Sequence, residues 1–296
     1  MFESAIEKLS QFTRPLHTIS RTYGGLVLPG AGTFFFVNDN GVAVTCKHIA
    51  DTIQAANNIN INYQNFSAER LKLLNDNKYQ RNLKGLEVKY KFNKETTVQL
   101  KNNFLNCFDK IDEIICHTHP TLDLAIMHFK GFNKILYNGH ANFVKDSSKI
   151  KQGKYLCRLG FPFPEFNNFK HDPITDDIEW TNTGNMNSPI FPIDGIITRF
   201  LGDTSGGITG IEMSTPGLRG QSGGPLFDTD GKVYGIQFAT NHLHLGFDLN
   251  DHEIINNGKR TKVSNHPFLH VGLCVHVDKI KEFLKQHNID FTEADQ

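Results

Sequence analysis

The stretch Gly220-Gln221-Ser222-Gly223-Gly224-Pro225-Leu226 places a serine hydroxyl in a tight turn with glycine on either side. A nucleophile in acyl transfer requires such a setting. Gly220 leaves the backbone free to aim its N–H, together with that of Ser222, at an oxygen on which negative charge develops. Gly223 and Gly224 let neighbouring chain and substrate come close. Serine among glycines also occurs in flexible linkers. Here, however, Pro225-Leu226-Phe227, the turn Asp228-Thr229-Asp230-Gly231 and the strand Val233-Tyr234-Gly235-Ile236 follow at once. Such a hairpin holds the serine rigidly.

A serine becomes a nucleophile beside a base, and the chain carries 14 histidines. His48 closes the strand Val42-Ala43-Val44-Thr45, after the segment Gly32-Thr33-Phe34-Phe35-Phe36-Val37 and the turn Asn38-Asp39-Asn40-Gly41. Asp123 opens the apolar strand Leu124-Ala125-Ile126-Met127. Cys46, two residues before His48, reads as a small buried side chain pointing away from the ring. His117 and His119 share a strand face and could hold a metal, but no third ligand stands nearby, so no metal is expected. A second serine between glycines, Ser205 in Gly202-Asp203-Thr204-Ser205-Gly206-Gly207, has Asp203 where a donor loop needs glycine. It reads as a hairpin turn.

The elements that must position these residues are mostly strands. Phe2, Ala5, Ile6 and Leu9 fall on one face of a short helix, which Arg14-Pro15 ends. From Gly24 the texture is β. Residues 52 to about 115 are the least patterned: Phe66 to Asn82 is polar, and Leu86, Val88, Tyr90 and Phe92 alternate like a half-buried strand. Residues 130–150 form a polar crossing, and Tyr155-Leu156-Cys157-Arg158-Leu159 starts a new set of strands. Glu165–Pro189, with Trp180, and Asn241–Pro267 are long lips; His242 and His244 in the second read as solvated. Val277, Ile280, Phe283 and Leu284 make the apolar face of a terminal helix.

The serine segment, the Gly-x-Gly-Thr-Phe-Phe hairpin with Thr45-Cys46-Lys47-His48, and Asp123-Leu124-Ala125-Ile126 together resemble the chymotrypsin-type (trypsin-like) serine proteases, in the order His, Asp, Ser. The local motifs are most similar to the bacterial Deg-like catalytic domain; with the chain ending at Gln296, no PDZ domain is expected after it. The resemblance implies an all-β fold of two antiparallel six-stranded-type β-barrels with short terminal helices. Residues 1–23 would be a helical extension, 24–135 the first barrel with an insertion at about 52–110, and 136–296 the second barrel with its helix. It implies a serine endopeptidase with His48 as base, Asp123 orienting its ring, Ser222 attacking the peptide carbonyl, and the N–H groups of Gly220 and Ser222 receiving the oxyanion. Pro216 and Gly217 would floor the pocket for the side chain preceding the scissile bond. Gln237, Phe238, Ala239 and Thr240 would wall one side, Gly272 and Cys274 the other, which suits medium uncharged residues. Secreted members carry Asp just before the serine, paired with a new N-terminus; here stands Gln221, so that ion pair is unavailable. The turn is then either preformed or ordered by an activating partner.

Composition narrows the rest. The formal net charge of +0 argues against nucleic acid as a partner. No stretch approaches the ~18 apolar residues of a membrane span, and Met1–Leu9 lacks the pattern of a signal peptide. Five cysteines without a close-spaced framework suit a reducing, cytoplasmic setting. No cofactor is expected, and the partner is a protein or peptide substrate. Two rival readings share the fold: a peptide-binding module without turnover, and an esterase.

Overall fold

Eighteen strands and four α-helices can be followed in the computed structural model, which describes residues 1–202, 206–256 and 258–295. In chain order the first half contains α1 (Glu3–Ser10), β1 (Thr13–Thr22), β2 (Val27–Phe36), β3 (Val42–Thr45), α2 (Lys47–Lys72), α3 (Tyr79–Tyr90), β4 (Thr97–Phe104), β5 (Glu113–Thr118) and β6 (Ala125–Lys130). The second half begins with β7 (Asn142–Val144), β8 (Tyr155–Gly160), β9 (Phe169–Asp172), β10 (Asp177–Trp180), β11 (Phe191–Gly202) and β12 (Ile208–Met213). It continues through β13 (Pro225–Phe227), β14 (Lys232–His244), β15 (Leu249–Asn256), β16 (Lys259–Asn265), β17 (Phe268–His276), α4 (Val277–Gln286) and β18 (Thr292–Ala294).

The strands form the two expected antiparallel units. In the second half β13-β8-β11-β12-β17-β14 closes into a six-stranded barrel, because β14 also pairs with β13; β7 and β18 add parallel to β14. The first half is the six-stranded sheet β4-β1-β2-β3-β6-β5, a half-barrel: among the described residues no ladder joins its edges β4 and β5. One hydrophobic core runs through both units. Its first-half share is largely phenylalanine: Phe34, Phe36, Phe104, Phe108 and Phe129 meet edge-on or tilted, and Phe36 stacks on Tyr137 at 3.6 Å.

The sequence reading needs correction over Thr13–Thr22 and over Leu86–Phe92. Residues 13–22, assigned to the extension, are barrel strand β1, paired with both β2 and β4. Pro15 is accommodated because it pairs with β2 alone, just before the ladder to β4 begins at Leu16; Leu16 faces the main core, while Ile19 on the opposite face packs with Phe166 and Ile178. The alternation Leu86, Val88, Tyr90, Phe92 is no strand: it lies largely on helix α3. The operative spacing is Leu83, Leu86 and Tyr90, which pack with Phe66 and Phe92, whereas Val88 is 78% exposed.

Helix α2 serves as the missing side of the half-barrel. It contains no proline or glycine over 26 residues. Ala56, Tyr63 and Phe66 are buried, and on the same stripe Asn60 binds the backbone of edge strand β4. Its Nδ2 donates to the Leu100 carbonyl (2.8 Å) and its Oδ1 accepts from the Leu100 N–H (2.9 Å). A single amide thereby imitates one residue of a neighbouring strand and covers an exposed edge. The hairpin β9–β10, expected as a substrate-facing lip, docks on this helix instead: Asp176 accepts from Tyr63 and Arg70 and pairs with Arg21.

Candidate active site

The site is built where α2, the β5–β6 turn and the β12–β13 turn converge. His48 lies in the first turn of α2, just past the end of β3. Cys46 is the N-cap residue and offers no capping bond, so the helix begins with unsatisfied N–H groups. Asp123 supplies the acceptor. Its Oδ1 takes the His48 backbone N–H (3.0 Å) and its Oδ2 lies 2.7 Å from His48 Nδ1. One carboxylate thus caps the helix and fixes the ring with Nδ1–H donating, which leaves Nε2 free to accept a proton. Burial opposes ionisation of Asp123, but the bonds from the His48 ring and backbone outweigh it and hold the carboxyl below the usual range.

The turn presenting Asp123 is itself fastened by a histidine. His119 Nδ1 accepts from the backbone N–H groups of Thr121 (3.2 Å) and Leu122 (3.0 Å). Burial first, then the neighbouring lysines Lys279 and Lys47, push its pKa down, which keeps that lone pair available. His117, considered with it as a metal ligand, instead packs on His287 with ring centroids 4.2 Å apart. Cys46 is fully buried and its thiol donates to the Gln237 carbonyl (3.2 Å). Its sulfur nevertheless stands within 4.8 Å of the ligand atoms of His48 and Asp123, nearer the ring than strand alternation suggests. Burial and the Asp123 charge push this thiol well up, so it is no thiolate competitor for the serine.

Ser222 is carried by a turn stitched to the first half. Its carbonyl accepts from the Thr33 N–H (3.0 Å); Thr33 Oγ1 donates to the Gly220 carbonyl (2.6 Å) and accepts from the Phe161 N–H (3.1 Å). Gly223, at φ +89°, is so close to β2 that an added Cβ would lie 1.9 Å from the Thr33 carbonyl oxygen. The Ser222 hydroxyl points at the Phe238 carbonyl (3.4 Å), not at the histidine. Among the described residues, the N–H groups of Gly220 and Ser222 donate to no protein acceptor. Gln221 orders this turn from inside. Completely buried, it accepts from the Leu218 N–H and donates to the Phe191 carbonyl, both at 3.0 Å. A neutral amide occupies the place of an ion pair. The alternative serine, Ser205, lies outside the described residues.

Beside Ser222 opens a cleft of about 500 Å³. Pro216, Gly217, Gln237, Ala239 and Thr240 line it as the sequence reading expected. Phe238 gives its carbonyl to the serine. Gly272 and Cys274 stand behind the wall: the Cys274 thiol meets Gln237 Oε1 at 3.5 Å, and a Cβ on Gly272 would fall 2.0 Å from Arg158 Nη1. Leu218, Arg219, His242 and His270 complete the lining. The residue missed by the sequence reading is Arg158, on β8. Fully buried, it donates to Gln237 Oε1 (2.6 Å), to Thr215 and to the Pro216 carbonyl (3.1 Å). The only sequence signal was a lone arginine inside an otherwise apolar strand.

A family model described as a trypsin-like peptidase domain matches residues 32–236, a span that includes His48, Asp123 and Ser222. No curated protein matches the chain. Among solved structures it is similar to the HtrA-type protease AlgW with a tripeptide, at a TM-score of 0.46 and 12% identity over 98% of this chain. The chain spans 64% of that structure's length. With a family match over well more than half its length, the chain belongs to the trypsin-like peptidase domain family.

Proposed function

We propose that the protein is a serine endopeptidase that works through a covalent acyl-enzyme. The observation that carries this is the pair of bonds from His48 to Asp123, which leaves Nε2 as the ring's free base, beside a serine flanked by two unclaimed N–H groups. His48 takes the Ser222 proton as Oγ attacks the peptide carbonyl, and Asp123 stabilises the imidazolium that forms. The N–H groups of Gly220 and Ser222 hold the oxyanion, and His48 then protonates the leaving amine. On this reading the Ser222 hydroxyl turns from Phe238 to His48 when substrate binds, as catalytic hydrogen bonds commonly form or tighten only then.

That same hydroxyl orientation is what favours the second reading, a peptide-binding module without turnover. A fluorophosphonate probe separates the two. Stoichiometric labelling at Ser222, lost in Ser222→Ala, is expected of the enzyme. A folded protein that binds peptides and takes up no label would overturn the endopeptidase reading.

A further inference from the structure

The cleft beside Ser222 is lined by one arginine and by no carboxylate. Arg219, His242 and His270 lie in its lining, and the lining contains no Asp or Glu. Behind Gln237 and Pro216 sits Arg158, whose guanidinium bonds only to neutral acceptors: an amide oxygen, a hydroxyl and two carbonyls. Its Nε is buried without any partner. Among the described residues no carboxylate pairs with it. An arginine keeps its charge even when buried, and a buried charge is normally paired with its opposite. Here the counter-charge is missing on the side that faces the cleft.

The rim points the same way. Arg219 makes no ion pair among the described residues. His242 and His270 face each other across β14 and β17 with Nδ1 atoms 2.5 Å apart. One ring donates to the other there, and the Nε2 atoms remain for a ligand. The uncharged pocket suggested by Pro216 and Gly217 therefore does not describe the field inside it. Arg219 and the unpaired Arg158 have one sign, and low-dielectric walls concentrate such a field in the cleft.

We propose that this cleft receives an acidic side chain, so that the enzyme cleaves after Glu or Asp, with Arg158 as the residue that sets this specificity. The inference rests on the serine-endopeptidase reading. Gln237 transmits the preference: its Oε1 is taken by Arg158, which turns its amide N–H₂ toward Ala239 and Gly217, where it can donate to an incoming carboxylate. A lysine or arginine in the same place finds no carboxylate in the lining and stands near Arg219, with Arg158 behind the wall.

The test uses matched fluorogenic peptides that differ only in the residue before the scissile bond: Glu, Asp, Gln, Leu or Lys. The full-length protein should show kcat/KM for Glu at least tenfold above Leu, with Lys lowest. In Arg158→Met the Glu-to-Leu ratio should fall by tenfold or more. If that variant does not fold, Arg219→Gln and added salt should each lower the ratio by several-fold. A wild-type profile in which Leu equals or exceeds Glu would overturn the proposal. Fluorophosphonate labelling run in parallel keeps the two readings apart. If Ser222 is unlabelled and no peptide is cut, the endopeptidase reading fails. Affinities of Ser222→Ala for peptides ending in Glu or Leu then decide the acidic preference: tighter Glu binding supports it, and equal or tighter Leu binding refutes it.

Discussion

Replacing Gln221 by leucine tests whether a neutral side chain holds the oxyanion turn. Leucine keeps most of the volume in this fully buried position and removes two hydrogen bonds, to the Leu218 N–H and the Phe191 carbonyl. Each is worth about 0.5–1.5 kcal/mol net. Leu218 is half-buried and Phe191 lies at the surface, so both released groups can find water. The loss of stability should therefore stay near the low end, about 1–2 kcal/mol in a urea titration. The effect on turnover should be larger. With Leu218 released, the Gly220 N–H is no longer aimed, and losing one oxyanion donor lowers kcat by about 10²–10³. KM should change little, because the cleft lining is untouched. Gln221→Glu gives the sign. A carboxylate can still accept from Leu218, but its second oxygen faces the Phe191 carbonyl with no proton to donate. Burial and that repulsion raise the pKa of the new group, and its protonated form restores the bond. The ratio of variant to wild-type kcat should thus rise as pH is lowered from 8 to 6. A Gln221→Leu enzyme within twofold of wild type, or a pH-independent ratio for Gln221→Glu, would show that something else orders the turn.

Other outcomes follow from the site and its supports. Ser222→Ala should lower turnover by about 10⁴-fold or more, and adding His48→Ala should cost little further, since the members act as a unit. Thr33→Val keeps the side-chain shape but leaves the Gly220 carbonyl and the Phe161 N–H without their bonds. Calorimetry should show destabilisation of about 2–4 kcal/mol, with kcat falling in parallel. Asp176 is held below the usual carboxyl range: burial opposes this, but Tyr63, Arg21 and Arg70 outweigh it. Its contribution is present above the unfolded value of about 3.9 and fades as pH falls below that. Asp176→Asn should therefore lower Tm modestly at pH 7, the group being partly exposed, and the gap to wild type should close in acid. All five cysteines are free, so five thiols should titrate in denaturant and reductant should leave activity unchanged.

Turns and strand ends were the legible part of this sequence. Gly231 at φ +77° and Gly220 at φ +89° mark turns that glycine announces, and the His, Asp and Ser segments each sit at a strand boundary that alternation exposes. Longer-range dependence was not legible. Strand β1 hides behind Pro15 because its pairing on both sides outweighs a local breaker. Helix α2 starts inside a strand-like run, with its cap supplied by Asp123, 75 residues further along the chain. The alternation over Leu86–Phe92 fits two periods, and only packing on Phe66 selects the helical one. Arg158 could be read as one charged residue in a strand; its relation to Gln237 and Pro216 exists only once the barrel closes.

The clasp between Asn60 and β4 has a mechanical consequence. With 1.5 Å of rise per residue, His48 stands about 18 Å along the helix on one side of the clasp and Arg70 about 15 Å on the other. If the helix turned about that clasp as a rigid rod, its two ends would move in opposite senses. Raising the Arg70–Asp176 end by about 1 Å would depress the histidine end by about 1.2 Å, and misplacements of about 1 Å can cost about a hundredfold in rate. On the endopeptidase reading, the hairpin that carries Asp176 would then be coupled to the position of His48 through the length of α2.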